Sequence, residues 1–144
     1  MKITSVAKAL LIDADNQMLV LRRSETHPTL AGQSDLPGGV IDRGEEPGEA
    51  LIREIYEETG LSVDFFALKL VYSGTEFYKS SYIRMLYVVR LDTSAPKVRL
   101  SFEHDQTKWL PISELAKIEK DYIPFYANAF DYLIKHQILE TLIS

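Results

Sequence analysis

The sequence predicts a mixed β-sheet with helices packed on it, either an α/β/α sandwich or another α+β layer arrangement. Two observations lead to this fold class. The predicted elements run in the order strands, helix, strands, helix, and the connections between them are short. At 144 residues the chain fits one compact domain, residues 1–144, and a domain of this size buries roughly 68% of its unfolded surface.

The first two strands are expected to form a β-hairpin. Residues Ile3–Ile12 are rich in β-branched and apolar side chains, and an extended pattern resumes at Met18–Arg23. Turn-forming residues Asp13–Asn16 separate them. Residues 27–39 carry two prolines and three glycines, so we expect mainly loop there, with a short strand near Ser34–Leu36.

One helix is expected to begin at Pro47 and to stop at Gly60, because proline suits the first helical turn and glycine suits the C-terminal end. Its apolar stripe comprises Ala50, Leu51, Ile55 and Leu61. Its glutamates occupy a different face, so the helix is amphipathic.

The second half of the chain repeats this order. Strands are expected at Val63–Ser73, at Tyr82–Leu91 and, as a short third one, around Lys108–Leu110. A short helix is expected at Pro111–Leu115, and the i, i+3, i+4 spacing of apolar residues predicts a longer amphipathic helix over Ile123–Leu142.

Charge and composition exclude several classes of partner. The formal net charge is −5, whereas a protein that binds long nucleic acids normally presents a basic face. An acidic protein would also repel a phosphorylated substrate unless a cation stands between them. The chain has no cysteine, which excludes disulfides and thiolate metal sites. The chain has no apolar run of the roughly 18 residues that span a bilayer. We expect a cytoplasmic enzyme without a leader segment and without membrane contact.

Three glutamates stand close together on the predicted helix. Residues three and four apart share one helix face, which places Glu54 beside both Glu57 and Glu58. Like charges at this spacing destabilise a helix by a few tenths of a kcal/mol per pair, unless a cation binds them. Hard oxygen ligands suit Mg²⁺ or Mn²⁺. The alternative is an acid-rich, solvated helix face, which is common.

The context of these glutamates is a highly specific pattern, G-x5-E-x7-R-E-U-x-E-E-x-G-U, in which U is a bulky apolar residue. Its seven fixed positions are Gly39, Glu45, Arg53, Glu54, Glu57, Glu58 and Gly60. Such a match arises by chance in roughly one window in 10⁸. The segment resembles the Nudix box without a departure, and the flanking sequences Leu36–Gly39 and Trp109–Pro111 are similar to common Nudix surroundings.

The resemblance implies a fold, a reaction and a set of site residues. The fold would be the α/β/α sandwich, and the reaction would be Mg²⁺-dependent hydrolysis of a pyrophosphate bond. Glu54, Glu57 and Glu58 would bind the divalent metal together with the backbone carbonyl of Gly39. Arg53 would orient the carboxylates through ion pairs. In addition, Glu45 would act as a structural or supporting acid.

Two residues outside the box stand before Trp109 in a segment expected to be loop. In many Nudix enzymes an acid in this place is a further metal ligand or the general base, and Glu103 is the candidate here. The alternative for Glu103 is a solvated loop carboxylate. For His104 we expect a loop surface position or a local hydrogen bond.

Arginines and aromatic residues supply the candidates for substrate binding. If Arg22 and Arg23 end a strand, they point to opposite sides, and Arg23 is the one expected to reach a phosphate with its planar fork. One or two aromatic side chains are expected to stack on a base, while the others belong to the core or to a sheet face. The candidates are Tyr72, Phe77, Tyr78, Tyr82 and Tyr87.

The sequence leaves several substrate classes possible. Nudix ADP-ribose hydrolases often place a proline about 15 or 16 residues beyond the box, where this chain has Glu76 and Phe77. Dinucleoside polyphosphate hydrolases often carry a tyrosine 16 to 18 residues beyond it, and Tyr78 fits. Residues 19–39 partly resemble the coenzyme A-hydrolase signature, but Pro28 replaces its arginine.

The broadest expectation is a pyrophosphohydrolase of a nucleoside triphosphate, including modified ones, that acts as a monomer or homodimer on a small-molecule nucleotide. A dinucleoside polyphosphate or coenzyme A-type pyrophosphatase is the alternative within the family. From a different class, a nucleotide-binding sensor domain would be expected to lose box carboxylates, and all are present here. Isoprenoid diphosphate isomerase chemistry needs a cysteine that the chain lacks.

Overall fold

The computed structural model describes residues 2–118 and 124–142. In those ranges the strands are β1 Ile3–Ile12, β2 Gln17–Arg23, β3 Ser34–Asp35, β4 Gly38–Val40, β5 Lys69–Tyr78, β6 Ser80–Arg90 and β7 His104–Pro111. The α-helices are α1 Pro47–Thr59, α2 Leu115–Ile118, α3 Pro124–Lys135 and α4 Ile138–Leu142. None of the helices in the described ranges is long and apolar enough to cross a membrane.

The strands form one mixed sheet. Its main path runs β3-β2-β1-β6-β5, with β4 added beside β1 and β7 beside β2. β1 and β6 pair in parallel from Ile3↔Ser81 to Ile12↔Arg90, whereas the other pairs are antiparallel. β1 and β2 form the expected hairpin, whose loop is closed by hydrogen bonds from the Asp15 and Gln17 N–H groups to Asp13 Oδ1.

Alternate residues of the two central strands face opposite helix layers, as the period of a β-strand requires. Ala7, Ala9 and Leu11 pack in one core with the apolar face of α1. Leu10 and Ile12 pack in a second core with α3. Because each face of the sheet is covered by a helix, the predicted α+β fold, an α/β/α sandwich with a mixed sheet, is confirmed.

Helix α1 has the bounds that the sequence predicts. Pro47 is its first residue, and Gly60 ends it in the left-handed conformation at φ 77°, donating its N–H to the Tyr56 carbonyl at 2.9 Å. Leu51 and Ile55 are fully buried against the sheet. The opposite face therefore remains available for the glutamates.

The predicted strand Val63–Ser73 is wrong in its first half. Phe65–Ala67 is instead a short 3₁₀ helix, because the Asp64 side chain accepts the Phe66 N–H at 2.8 Å and caps a turn. The strand β5 begins later and continues to Tyr78, where Lys79 makes the tight turn into β6 with φ 62°.

The predicted C-terminal helix over Ile123–Leu142 is two helices. They are separated by a turn at His136 and Gln137, where Gln137 has a left-handed φ of 55°. The periodicity of apolar residues alone does not reveal such a break between two helices. Residue Ile123 lies outside the described residues. The short strand expected around Lys108–Leu110 is the middle of the longer β7, and the short helix expected after it is a 3₁₀ turn at Ile112–Glu114 followed by α2.

Candidate active site

A cavity of about 340 Å³ opens where β1, β4 and β6 meet helix α1. Five residues predicted from the sequence line it together: Arg23, Gly39, Glu54, Glu58 and Glu103. These residues come from four different parts of the chain, and the fold brings them to one place. Arg53 and Glu57 lie on α1 next to Glu54, and Arg53 Nη1 lies 3.1 Å from Glu54 Oε1.

The glycine pair at β4 allows close approach of the helix. Gly38 has φ 133°, and a Cβ there would lie 2.1 Å from the Ala7 carbonyl oxygen. A Cβ on Gly39 would lie 2.7 Å from the Glu54 carboxyl carbon. Gly39 is therefore required because the Glu54 carboxylate rests against its backbone, whereas Gly38 is required by the sheet itself.

These two contacts predict different effects for Gly39→Ala and Gly38→Ala. In Gly39→Ala the added methyl group meets only the end of a flexible side chain, so Glu54 moves away and the fold survives. We expect divalent metal affinity to fall about tenfold while the melting temperature stays close to that of the parent. Gly38→Ala meets backbone and should lower the melting temperature markedly. Calorimetric metal titration and thermal unfolding check both, and unchanged metal affinity in Gly39→Ala would contradict the assignment.

Glu58 is buried and points at the glycine loop. It is 3% exposed, and its Oε1 accepts the Gly38 N–H at 2.7 Å. Burial raises the pKa of Glu58 to about 8. Burial also raises the pKa of Glu54, and the nearby charge of Glu57 adds to that rise. Both carboxyl groups are thus in surroundings that disfavour their charge unless a cation is close.

Arg53 joins the acidic residues of the box. Its Nε and Nη2 donate to the two carboxylate oxygens of Glu45 at 2.8 and 2.9 Å. Its Nη1 donates to Glu54 at 3.1 Å and to Glu57 at 3.3 Å. The hydrogen bonds from Arg53 lower the pKa of Glu45 to about 2. An orienting role for Arg53 requires contacts of this kind. The two hydrogen bonds to Glu45 hold the Arg53 guanidinium in position.

The carboxylates suit a hard divalent cation by their chemistry. In the described ranges no three acidic or imidazole side chains converge closely enough to hold a metal ion as they stand. Glu58 turns towards the Gly38 N–H, and Glu57 has a side chain that is 55% exposed and bonded to Arg53. The fit therefore rests on the oxygen donor set and on the buried, charge-disfavouring positions of Glu54 and Glu58.

A buried aspartate that the sequence reasoning missed lies at the floor of the cavity. Asp35 is fully buried and accepts hydrogen bonds from Lys8 at 3.2 Å, Arg23 at 2.7 Å and Tyr126 at 2.7 Å. His104 Nε2 lies 3.1 Å from it. Burial alone raises the pKa of Asp35, but Lys8 and the hydrogen-bonding partners together hold it well below its usual range. We refer to these five residues as the Asp35 cluster.

Two signals could have found this cluster. Lys8 interrupts an apolar strand, and a charged residue in such a place needs a buried partner. Asp35 directly precedes the sequence Leu-Pro-Gly-Gly of the glycine loop. Lys8 also donates to the Leu36 and Gly38 carbonyls at 3.2 and 3.1 Å. The cluster therefore supports the loop against which Glu54 and Glu58 pack.

The two arginines of β2 point to opposite sides, as expected. Arg22 pairs with Asp105 on the outer side. Arg23 is buried and lines the cavity. Its guanidinium contacts Asp35, the Thr29 carbonyl, the Thr29 hydroxyl and His27 Nδ1, so four of its five N–H donors already have partners. Arg23 is thus a fixed cation at the cavity wall, and its contact with a phosphate stays a prediction.

The expected loop position of His104 is wrong. His104 is 3% exposed and begins β7 opposite Arg23. Its hydrogen bond reaches Asp35, which is 69 residues away. A local hydrogen bond was expected instead because spacing along the chain contains no information on this pairing. Glu103 lies on the turn just before β7, with its Oε2 3.7 Å from His27 Nε2 and its side chain 44% exposed. It approaches the cavity from a separate loop, as expected.

Among the four aromatic candidates whose side chains the structure describes, Tyr82 lines the cavity. Tyr72 makes tilted ring contacts with Phe125 and Tyr132 in the layer of α3, and Tyr87 packs against the core on the other face. Phe77 is 78% exposed outside this cavity. The side chain of Tyr78 lies outside what the structure describes.

The chain is similar to several known proteins. A model of the NUDIX domain matches residues 2–129. ADP-ribose pyrophosphatase of Methanocaldococcus jannaschii is 28% identical over 118 residues, which are 82% of this chain and 68% of that protein. The 8-oxo-dGTP diphosphatase of Escherichia coli is 35% identical over 69 residues, which are 47% of this chain and 52% of that protein. Both names describe hydrolases that act on acid anhydrides, the enzyme class that the sequence predicts.

The fold is also that of a solved structure. The crystal structure of the MutT protein from Methanosarcina mazei Go1 superposes with a TM-score of 0.78 at 24% identity, covering 94% of this chain and 95% of that chain. Because the match extends over nearly all of both chains, the same layers and sheet are present in both.

Proposed function

The chain belongs to the Nudix family, and from that premise we propose that it hydrolyses a pyrophosphate bond of a nucleoside triphosphate, modified ones included. The products would be a nucleoside monophosphate and pyrophosphate. The observation that carries the proposal is the position of Glu54 and Glu58 beside Gly39, in the same cavity as Arg23 and Glu103. Acids and a fixed cation that line the same cavity suit a metal-bound, phosphate-containing substrate.

Each residue of the site has a separate role in the proposed reaction. Glu54, Glu57, Glu58 and the Gly39 carbonyl would hold Mg²⁺ or Mn²⁺, which when bound lowers the pKa of water and neutralises phosphate oxygens. Arg53 keeps the glutamates in place through the contacts described above. Arg23 would bind a phosphate oxygen with its remaining donor. Glu103 would accept the proton of the water that attacks phosphorus, while the bond to the leaving phosphate oxygen breaks.

The deciding experiment is a panel of nucleoside triphosphates, dinucleoside polyphosphates, ADP-ribose and coenzyme A compounds, with products identified by mass. We expect monophosphate and pyrophosphate from a triphosphate as the fastest reaction. Release of other products at a higher kcat/KM would assign the chain to one of the alternative substrates. No product from any compound would favour a nucleotide-binding sensor domain instead.

Activity is expected to require Mg²⁺ or Mn²⁺ and to vanish with EDTA, because the site consists of hard oxygen ligands. Metal should also raise the melting temperature, since it binds only the folded chain. The matched control is Glu49→Gln, an exposed acid on the same helix, which should leave both effects unchanged. Full turnover in excess chelator would contradict the mechanism.

Glu103→Gln is expected to lower kcat about tenfold or more, because it removes a proton acceptor. The helix glutamates remain, so the first metal should still bind with parental affinity. Calorimetric titration beside single-substrate kinetics separates the two effects. Wild-type kcat in Glu103→Gln would move the general base into the helix, with Glu54 the first candidate.

A further inference from the structure

Besides Lys8 and Arg23, a further cationic side chain, that of Arg84, lines the same cavity and has no part in the mechanism above. Arg84 and Tyr82 project from the same face of β6 as alternate residues, and both line the cavity. Arg84 pairs across Val6 with Val40 of β4, so these three residues form one row across three strands. Two strand spacings, roughly 10 Å, therefore separate Arg84 from the strand of the glycine loop.

The guanidinium of Arg84 is held rigidly. Its Nε forms an ion pair with a carboxylate oxygen of Glu76 on β5, and the two side chains are 14% and 19% exposed. The guanidinium carbon lies 4.8 Å from the centre of the Tyr82 ring and 5.6 Å from that of Phe125. With rings against the group, the edge that carries the two terminal nitrogens is the part available to a ligand.

The buried Nε–H of Arg84 has no aligned acceptor within the described part of the chain, so the contact with Glu76 acts mainly through charge. That charge matters for what Arg84 can bind. A phosphate placed at Arg84 would also meet the half-buried Glu76 carboxylate and be repelled. A neutral acceptor group suits this ion pair better.

We propose that Arg84 and Tyr82 form a base-recognition subsite that prefers a 6-oxopurine, the guanine type, over a 6-aminopurine. The proposal rests on the nucleotide substrate proposed above and specifies its base. The planar fork of an arginine matches two adjacent acceptors, and a 6-oxopurine presents O6 beside N7. An adenine presents an amino donor beside N7, which would oppose the N–H groups of Arg84. In a nucleotide the sugar separates the base from the phosphates, in keeping with the strand spacing above.

The test measures binding of GMP and AMP to the full chain in the presence of Mg²⁺ by calorimetry. Neither compound has a pyrophosphate bond, so the result does not depend on hydrolysis. We expect the wild type to bind GMP about tenfold more tightly than AMP, the discrimination typical of a bidentate arginine. Arg84→Met should reduce this ratio to about twofold or less while changing AMP affinity little.

Two further variants complete the design. Arg84→Lys keeps the positive charge near Glu76 but lacks the planar fork, so it should fold and still lose the preference for GMP. Arg22→Met removes an arginine on the outer side of β2 and should keep the preference. Equal affinity of the wild type for GMP and AMP would overturn the proposal. An equal loss of affinity for both nucleotides in Arg84→Lys would also overturn it, because that result indicates a phosphate contact. A preference for GMP without hydrolysis of GTP would overturn only the proposed function.

Discussion

Glu58→Gln is expected to lower kcat by about two to four orders of magnitude, because the substitution would remove a ligand charge and disturb the activation of water while keeping the shape of the side chain. Metal affinity should fall as well. The free energy of unfolding of the metal-free protein should rise, although activity and metal affinity fall. In the metal-free protein the Glu58 carboxyl is buried and its pKa is raised to about 8, so at neutral pH folding must protonate this group at a cost in free energy. Glutamine can still accept the Gly38 N–H, so metal-free Glu58→Gln should be more stable, by about 1 kcal/mol or roughly 4 °C in melting temperature.

The neighbouring glutamate provides an internal comparison. Glu57 is mostly exposed and bonded to Arg53, so Glu57→Gln should lower kcat similarly but raise stability by only a few tenths of a kcal/mol. Steady-state kinetics with a metal series and thermal unfolding in chelator measure both quantities. Full activity of both variants would mean that the acids are a solvated helix face, and the central assignment would be wrong.

Arg53→Ala is expected to lower kcat about a hundredfold at saturating metal. The guanidinium bonds Glu45, Glu54 and Glu57 at once, and without it three carboxylates lose their common support. The apolar face of α1 is untouched, so the fold should survive. Arg53→Lys keeps the charge but not the bidentate contact with Glu45, and should recover stability more than activity.

The comparison variant for Arg53 is Arg43→Ala, which removes an exposed arginine from the preceding loop. It should leave kcat and metal affinity unchanged. Circular dichroism confirms that each variant is folded before kinetics are compared. A rate of Arg53→Ala close to wild type at saturating metal would place Arg53 among the ordinary surface charges.

The parts of the site that the sequence predicted are those that depend on local spacing. Pro47, Gly60 and the i, i+3, i+4 positions of the glutamates define helix α1 and its acidic face, because helix geometry relates neighbours in the sequence directly. The mixed sheet followed from the order of the elements. The β-turn at Lys79 and the break at Gln137 were missed because a left-handed residue other than glycine leaves little trace in the sequence.

The Asp35 cluster could not be predicted in the same way. Its hydrogen bonds join residues 27, 69 and 91 positions apart, and such contacts depend on strand register. His104 lies in the cluster only because β7 begins one residue after Glu103 and pairs with Arg23. A pattern of residue types contains no information on that register.

The Asp35 cluster also constrains how this protein can change over generations. Lys8 and Arg23 share one buried carboxylate, so replacing Asp35 alone leaves two buried cations without a carboxylate partner. Replacing one cation alone leaves the other as the remaining cation that neutralises the carboxylate. Free energies of substitution within the cluster are therefore not additive. Even after Lys8 has become apolar, a neutral residue at position 35 would still leave the buried Arg23 without its carboxylate partner. Lineages of this chain should consequently keep Asp35 as long as Arg23 is present, and exchange at position 35 is expected only together with changes at both cations.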